Sequence, residues 1–194
     1  HKMNYPQITI VTPSYNQGHY IEQTICSVLD QGYPNLQYII IDGGSKDDSV
    51  SIIKKYEKHL AYWVSEKDRG QSDAIIKGYR KATGEIFNWL NSDDYYESGA
   101  LFNVADAFIK NPELQVYCGI SRVFGADKEF HTKGTDVYPG NLNKTIGWPR
   151  IDQPETFFKK SVWDTIGAVD ERFHYVMDKE LWVRFLLYYG LAGV

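Results

Sequence analysis

The sequence predicts an α/β fold in which an open, mostly parallel sheet is flanked by helices. Its first 120 residues alternate short apolar runs with stretches whose apolar residues recur at helical spacing. The short runs are almost continuously apolar and rich in β-branched residues, which is typical of parallel strands covered on both faces. Because the connections between runs and helical stretches are short, we expect them to build one sheet.

Four strand–helix units are predicted in this region. Pro13 ends the first apolar run, and Gly32 and Gly84 end two of the helical patterns, as expected for residues that stop strands and helices. The predicted strands are 8–12, 36–42, 61–65 and 86–90, and the helices that follow them carry apolar faces that include Ile21, Ile53, Ile75 and Leu101.

The pattern changes from Val116 onward. Residues 131–153 form a long stretch without periodicity, and such a stretch inside a compact domain is usually a lid or a binding loop. The helical pattern near 178–189 is followed by an abrupt stop, so we expect the natural protein to continue beyond Val194. The other predicted elements are a strand at 115–124, a turn at 125–130, a short run at 155–158 and a helix at Ser161–Ile166.

Composition excludes several classes of protein. A net charge of −4 leaves no basic footprint, which argues against nucleic-acid binding. Cys26 and Cys118 are far apart and show no metal-ligand spacing, so we interpret them as reduced thiols of a cytosolic protein. No apolar segment reaches the length of about 18 residues that spans a bilayer, and no signal peptide is visible.

Acidic residues follow three of the four predicted strands. Helix capping is an ordinary explanation for Asp47, Asp48 and Asp73. It explains less well why Asp42 ends a strand before two glycines, or why Asp93 and Asp94 stand side by side. Since the carboxyl ends of parallel strands meet at one edge, where ligands of open sheets bind, we expect these acids to face a common crevice.

The first strand–helix connection indicates how phosphates would be bound. It reads TPSYNQG at residues 12–18, without the glycine spacing with which dinucleotide folds or P-loops approach a phosphate. A divalent cation held by Asp94 would neutralise a diphosphate instead, since Mg²⁺ and Mn²⁺ prefer carboxylate and phosphate oxygens. Tyr15 would then be free to stack on a base, and Asp42 to accept a hydrogen bond from a base or ribose.

Three segments together resemble the family 2 glycosyltransferases of the GT-A fold. The resemblance spans about residues 7–189, and several motifs in the right order are more specific than one short acidic motif. The segments are ITIVTPSYNQGHYIEQTICSVLDQGYPNLQYIIIDGGSKDDS, DRGQSDAIIKGYRKATGEIFNWLNSDD and GAVDERFHYVMDKELWVRF.

This resemblance implies an inverting enzyme that moves a sugar from a nucleotide diphosphate donor, commonly a UDP-sugar, to an acceptor hydroxyl. It implies Mn²⁺ or Mg²⁺ as cofactor, a saccharide or lipid-linked saccharide as acceptor, and a role in surface polysaccharide or glycoconjugate synthesis. The implied location is the cytoplasm or the inner face of the membrane, with any membrane association made through a missing C-terminal part or a partner. A single domain over 1–194 would comprise a Rossmann-like nucleotide-sugar-binding half at about 7–115 and an acceptor-side half at about 116–194.

The resemblance also implies a role for individual residues. Asp178 matches the catalytic base, although a helix cap is the simpler interpretation without the resemblance. On the acceptor side, Gln153 and Glu155 would bond hydroxyls. Trp148 is a further acceptor candidate because of its place in the long irregular stretch, where its ring could stack on a sugar. Nucleotide-sugar contacts are expected from Pro13, Tyr15, Asp42, Asp73 and Asp93, and metal ligation from Asp94.

Two departures from the family pattern keep other functions open. Asn91 stands where the metal motif often has Asp, and Met177 stands where an acid usually precedes the base. A nucleotide-sugar-binding module without turnover therefore remains an alternative. A nucleotidyltransferase of similar fold is another, although it would usually carry a glycine-rich basic loop after the first strand.

Overall fold

The computed structural model describes residues 4–124, 129–147, 149–192 and 194, and it confirms the predicted α/β fold. Six strands form one sheet in the order β3-β2-β1-β4-β8-β5. They are β1 Ile8–Ser14, β2 Leu36–Asp42, β3 Tyr62–Ser65, β4 Ile86–Trp89, β5 Val116–Cys118 and β8 Thr156–Lys159, while β6 Arg122–Phe124 and β7 Glu129–His131 pair separately. The helices are α1 Ile21–Leu29, α2 Ser49–Lys55, α3 Gln71–Tyr79, α4 Ala100–Lys110, α5 Leu142–Gly147, α6 Lys160–Ile166 and α7 Met177–Tyr189.

The first four strands are parallel to one another, and β8 runs antiparallel to both of its neighbours. All seven residues of β1 are buried, which explains why this strand reads as a continuous apolar run. Alternate residues face opposite layers, so Ile10 packs with α1 and α4 whereas Val11 packs with α3, α6 and α7. The sheet therefore has a hydrophobic core on each face.

The region after residue 115 differs in part from the sequence prediction. The single strand expected at 115–124 is two strands that belong to different sheets. The chain turns away between them at Gly119, where a Cβ would stand 3.1 Å from Glu155 Oε2. The stretch 131–153 is also less irregular than expected, since it contains α5. Of the predicted turn at 125–130, residues 125–128 lie outside the described residues.

No helix in the described ranges has both the length and the apolar character needed to cross a bilayer. The longest, α7, has 13 residues, whereas a spanning helix needs about 20.

Close contact between α3 and β1 requires a glycine. A Cβ on Gly78 would overlap both methyl groups of Val11. We expect Gly78→Ala to lower the free energy of unfolding by about 1–3 kcal/mol, because an overpacked core must shift. This loss should appear although Ala exceeds Gly in helix propensity by about 1 kcal/mol. Urea denaturation measures it.

The matched control is Gly147→Ala in α5, where a Cβ meets no described atom within 4 Å. That variant should keep or raise the free energy of unfolding. Equal stability of the two variants would contradict the proposed contact between α3 and β1.

Candidate active site

A cavity of about 530 Å³ opens at the carboxyl ends of β1 and β4. The strand order places it where the connections change direction, because the helices after β1 and β2 lead one way along the sheet and α3 leads back to β4. Ligands of open α/β sheets bind at this kind of switch point, and the volume suits a small organic ligand. The wall includes the end of β1 with the residue that follows it, the loop before α3 with the first residue of that helix, and the turn after β4. The lining residues from these segments are Pro13, Ser14, Tyr15, Lys67, Asp68, Gly70, Gln71, Asn91, Ser92 and Asp93.

Tyr15 forms one side of this cavity, and the residue is 61% exposed. The loop beneath it is fixed by Asn16, which has a left-handed φ of 51° and accepts a hydrogen bond from the Lys46 amide at 2.8 Å. Pro13, near the end of β1, lines the same wall as Tyr15. A free aromatic face at this position can stack on a planar ring.

Asp42 is fully buried behind the cavity wall. Its Oδ2 accepts hydrogen bonds from the Ser45 amide at 2.9 Å and from the Ser65 hydroxyl at 2.6 Å. The carboxylate thus closes the turn after β2. Gly43, and not Asp42, lines the cavity wall. A direct contact between Asp42 and a nucleotide stays a prediction, and it requires one of these two hydrogen bonds to break.

Asp73 is 7% exposed and bonds to its own loop. It accepts a hydrogen bond from the Arg69 amide at 3.0 Å, and it forms an ion pair with the Arg69 guanidinium at 3.3 Å. Asp73 is the third residue of α3 and Gly70 is the N-cap, which corrects the interpretation of Asp73 as the cap. The Asp73 carboxylate instead reaches back to the loop and fixes the entry into α3. The nucleoside contact proposed for Asp73 stays a prediction that its burial disfavours.

The acid of this loop that lines the cavity is Asp68, which sequence reasoning did not select. Burial raises the pKa of Asp68, and its Oδ1 accepts a hydrogen bond from the Gly70 amide at 3.0 Å. A Cβ on Gly43 would stand 2.8 Å from Asp68 Oδ2, so the glycine leaves room for this carboxylate. Its position in the loop that follows β3 is the sequence feature that could have identified it.

Asp93 and Asp94 follow β4 in a turn closed by the Asp94 amide, which donates to the Asn91 carbonyl at 3.0 Å. Asp93 is exposed on the cavity wall, whereas Asp94 is partly buried. Burial raises the pKa of Asp94 to about 6, and the charge of Asp93 adds to this effect. Asp94 therefore gives up its proton less readily than a solvated aspartate.

Asn91 also bonds across the cavity wall. Its side-chain oxygen accepts a hydrogen bond from the Gln71 amide group at the start of α3. Gln71 was not identified from the sequence, where it is an ordinary polar residue. The asparagine that departs from the family pattern is thus held by a neutral partner.

The carboxylates of this turn can bind a metal ion only if a bound ligand supplies further metal-coordinating atoms. Among the residues the structure describes, no three His, Cys, Asp or Glu side chains come together as metal ligands. Mg²⁺-type ions, however, are commonly bound by one or two carboxylates together with substrate phosphates and water. Asp94 and its neighbour Asp93 meet that requirement, so a divalent cation would depend on a phosphate ligand.

Asp178 is the second residue of α7 rather than its cap, which corrects the capping interpretation. Its carboxylate accepts a hydrogen bond from the Lys179 amide at 2.8 Å, and burial raises its pKa. The preceding segment contacts the cavity wall loop, because Glu171 pairs with Arg69 at 2.9 Å and the Ser72 hydroxyl donates to the Phe173 carbonyl at 3.3 Å. The start of α7 is thereby tied to α3, and convergence of Asp178 with Asp94 stays a prediction.

The expected acceptor-side residues lie in different surroundings. Gln153 is buried, and its amide donates to Asn88 Oδ1 at 3.0 Å and to the Trp89 carbonyl at 2.7 Å, so it braces β4. Glu155 lines a separate cavity of about 390 Å³, and burial raises its pKa to about 7. Trp148 lies outside the described residues. Acceptor contacts stay a prediction for all three residues. The burial of Gln153 disfavours such a contact for that residue.

The raised pKa of Asp94 predicts a dependence of stability on pH. Because its folded pKa of about 6 exceeds the ordinary 3.8, its contribution to stability is full below about pH 4 and is lost as pH rises through 6. We expect Asp94→Asn to raise the free energy of unfolding at pH 7.5 by about 1–2 kcal/mol, and this gain should shrink toward pH 4. Urea denaturation with EDTA measures both.

The control for this series is Glu113→Gln, an exposed carboxylate remote from the turn, which should change stability by no more than about 0.5 kcal/mol. A gain for Asp94→Asn that is the same at pH 4 and pH 7.5 would show that Asp94 carries no buried charge.

Comparison with known proteins identifies relatives along nearly the whole chain. A Rickettsia typhi protein named as an uncharacterized glycosyltransferase is 29% identical over 93% of this chain. The putative teichuronic acid biosynthesis glycosyltransferase TuaG of Bacillus subtilis is 31% identical over 73% of it. The chain spans 59% of the length of each of these two relatives.

Solved structures share the fold at low sequence identity. S. aureus TarS 1–349, in complex with UDP-GlcNAc, matches with a TM-score of 0.74 at 19% identity, covering 93% of this chain and 53% of that one. The mannosyltransferase PcManGT of Pyrobaculum calidifontis, in complex with GDP-Man and Mn²⁺, matches with a TM-score of 0.72 at 20% identity, covering 96% and 53%. These similarities support the GT-A fold and not a particular substrate.

The sequence model of the family described as Glycosyl transferase family 2 matches residues 9–168. Since that range includes the cavity wall and the turn after β4, and is most of the chain, the protein belongs to glycosyltransferase family 2.

Proposed function

We propose that this chain carries the donor site of an inverting glycosyltransferase, which moves a sugar from a nucleotide diphosphate to an acceptor hydroxyl. One observation carries the proposal: the switch-point cavity has the exposed ring of Tyr15 on one wall and the Asp93–Asp94 turn on another. A nucleotide diphosphate needs a stacking surface for its base and charge neutralisation for its phosphates, and this cavity offers both.

The nucleoside would lie against Tyr15 and Pro13. Asp68 is the carboxylate best placed on this wall to accept hydrogen bonds from base or ribose, with Asp42 reached only after its turn opens. Neither group distinguishes uridine from guanosine by charge, so the preference for a UDP-sugar rests on the family resemblance.

The diphosphate would lie toward the turn after β4. Its negative charge could not approach Asp93 and Asp94 directly, because like charges repel in a partly buried site. A divalent Mn²⁺ or Mg²⁺ ion, held by Asp94 and completed by the phosphates, would reverse this repulsion and stabilise the departing diphosphate. Asp93 would then be free to contact the ribose or the donor sugar.

Asp178 would accept the proton of the acceptor hydroxyl. The acceptor oxygen forms a bond to the anomeric carbon while the bond from that carbon to the diphosphate breaks, and the nucleoside diphosphate leaves as an anion. One base is enough, since the leaving group takes no proton. Burial raises the pKa of Asp178, which makes its carboxylate a better proton acceptor than a solvated aspartate.

The relatives support this assignment in coarser form. TarS was solved with UDP-GlcNAc and PcManGT with GDP-Man and Mn²⁺, so members of this fold hold such donors, one of them together with Mn²⁺. TuaG is named for teichuronic acid biosynthesis, which supports a surface polysaccharide or glycoconjugate as the product here. A saccharide or lipid-linked acceptor, and action in the cytoplasm or at the inner membrane face, are part of the proposal.

A nucleotide-sugar-binding module without turnover is the second candidate. It is favoured by Asn91, which stands where the metal motif often has Asp and whose side chain is bonded to Gln71. A nucleotidyltransferase is disfavoured, because the loop after β1 lacks a glycine-rich basic segment.

Donor binding should stabilise the chain only when a metal ion is present. With Mn²⁺ and a nucleotide diphosphate at about 100 times its dissociation constant, we expect the melting temperature to rise by about 5–10 °C. UDP, GDP and CDP are compared by thermal shift, each with Mn²⁺ and with EDTA. Mn²⁺ alone is the control, and equal shifts in EDTA would exclude the metal-bridged arrangement.

Asp178→Asn should separate binding from turnover. We expect the variant to keep the Mn²⁺-dependent shift with nucleotide, and to lose about 10²–10⁴-fold in donor turnover because the proton acceptor is missing. Release of nucleoside diphosphate from a donor sugar measures turnover, with Glu113→Gln as control. Unchanged turnover would remove the base assignment, and a parent chain that binds but never turns over would favour the binding module.

A further inference from the structure

Helix α1 carries a row of polar side chains that faces the turn after β4. Thr24, Ser27 and Gln31 recur at intervals of three and four residues along one side of α1 and its C-terminal extension. Thr24 is 1% exposed and Gln31 is 8% exposed. Polar side chains buried to this extent need partners, and they find them in the segment 94–101.

Thr24 bonds the metal-binding candidate itself. Its hydroxyl donates to the backbone carbonyl of Asp94 at 2.6 Å. The next side chain in the row, Ser27, accepts a hydrogen bond from the Tyr96 amide at 3.1 Å. The backbone is therefore bonded on both sides of Tyr95, directly after the acidic pair.

Gln31 extends the row to the start of α4. Its amide donates to the Glu97 carbonyl at 2.8 Å, and its carbonyl accepts from the Leu101 amide at 3.3 Å. Segment 94–99 has no strand or helix of its own, so its backbone groups depend on such side chains. At the other end of the turn, Gln71 of α3 bonds the Asn91 side chain.

We propose that Thr24, together with Ser27 and Gln31, positions Asp94 for the divalent cation that accompanies the donor. This inference rests on the proposed function. Thr24 acts through the backbone of Asp94 and is a positioning residue, not a metal ligand. The need for such support follows from the geometry: Asp94 stands beside a like charge, and the segment that begins at Asp94 has no strand or helix of its own to fix its backbone.

The expected change in metal affinity can be taken from other metal sites in which a residue orients a ligand of the ion. Loss of a residue that orients a ligand typically weakens metal affinity by about 10–100-fold. A hydroxyl that served only the fold would lower stability without changing metal affinity. Thr9 offers that comparison, since it is fully buried and its hydroxyl donates to Gln37 Oε1 at 2.6 Å and accepts from the Gly84 amide at 2.9 Å, at the opposite end of β1.

The experiment compares Thr24→Val with Thr24→Ser and Thr9→Val. Binding of Mn²⁺ in the presence of UDP is measured by the EPR signal of the free ion. We expect Thr24→Val to weaken Mn²⁺ binding by about 10–100-fold, and Thr24→Ser, which keeps the hydroxyl, to restore it. Thr9→Val should bind Mn²⁺ as the parent chain does, even where its unfolding midpoint falls.

A second measurement needs neither metal nor nucleotide. Amide hydrogen exchange of Tyr96 should accelerate in Thr24→Val and stay unchanged in Thr9→Val, because only the first variant frees the turn. If Thr24→Val does not fold, Ser27→Ala replaces it, and weaker Mn²⁺ binding is the expected result. Tyr96 exchange is not used for that variant, because Ser27 is itself the acceptor of the Tyr96 amide.

The outcomes separate the two proposals. If the parent chain binds no Mn²⁺ with UDP, the proposed donor chemistry fails, and the role of Thr24 in metal binding fails with it. If the parent binds and Thr24→Val binds equally well, the proposed function stands and the positioning role is overturned. Unchanged Tyr96 exchange in Thr24→Val would also overturn it.

Discussion

Parallel pairing of β1 with both β2 and β4 is the constraint on which the rest of the structure depends. Because β1 is buried along its whole length and pairs on both edges, the carboxyl ends of three neighbouring strands are held at one edge of the sheet. The loops that leave this edge carry Tyr15, Gly43 and Asp93, which share a cavity although they are far apart in sequence. The position of the candidate site is thus a consequence of strand order.

That arrangement creates an electrostatic problem which the surrounding helices address. Asp94 is partly buried beside Asp93, and both burial and the neighbouring charge raise the pKa of Asp94. The turn that carries this charge is bonded to side chains outside it. Thr24 on α1 and Gln71 on α3 supply these bonds from opposite directions. In a cation-dependent site the ion would relieve the remaining repulsion.

The elements that could be predicted from the sequence are those whose apolar residues recur at a regular local spacing. The four strand–helix units were recognisable because buried strands and amphipathic helices have distinct spacings, and the structure confirms the resulting fold. The boundary between β5 and β6 was missed, since the residue that crowds Gly119 is Glu155, which is distant in sequence. Individual roles were harder still: whether Asp68 or Asp73 lines the cavity depends on how the α3 entry is bonded. Such choices involve tertiary contacts, which no local spacing records.

The same distinction explains why Thr24 and Gln71 were overlooked as functional residues. A threonine inside an amphipathic helix and a glutamine at a helix start are ordinary in sequence, and neither carries a charge. Their significance arises because 70 residues separate Thr24 from the carbonyl it bonds. An acidic motif is recognised by its own residues, but its geometry is set by neutral side chains from elsewhere in the fold. Between chains that carry the same acidic turn, differences in metal affinity would therefore be sought first in these supporting hydrogen bonds.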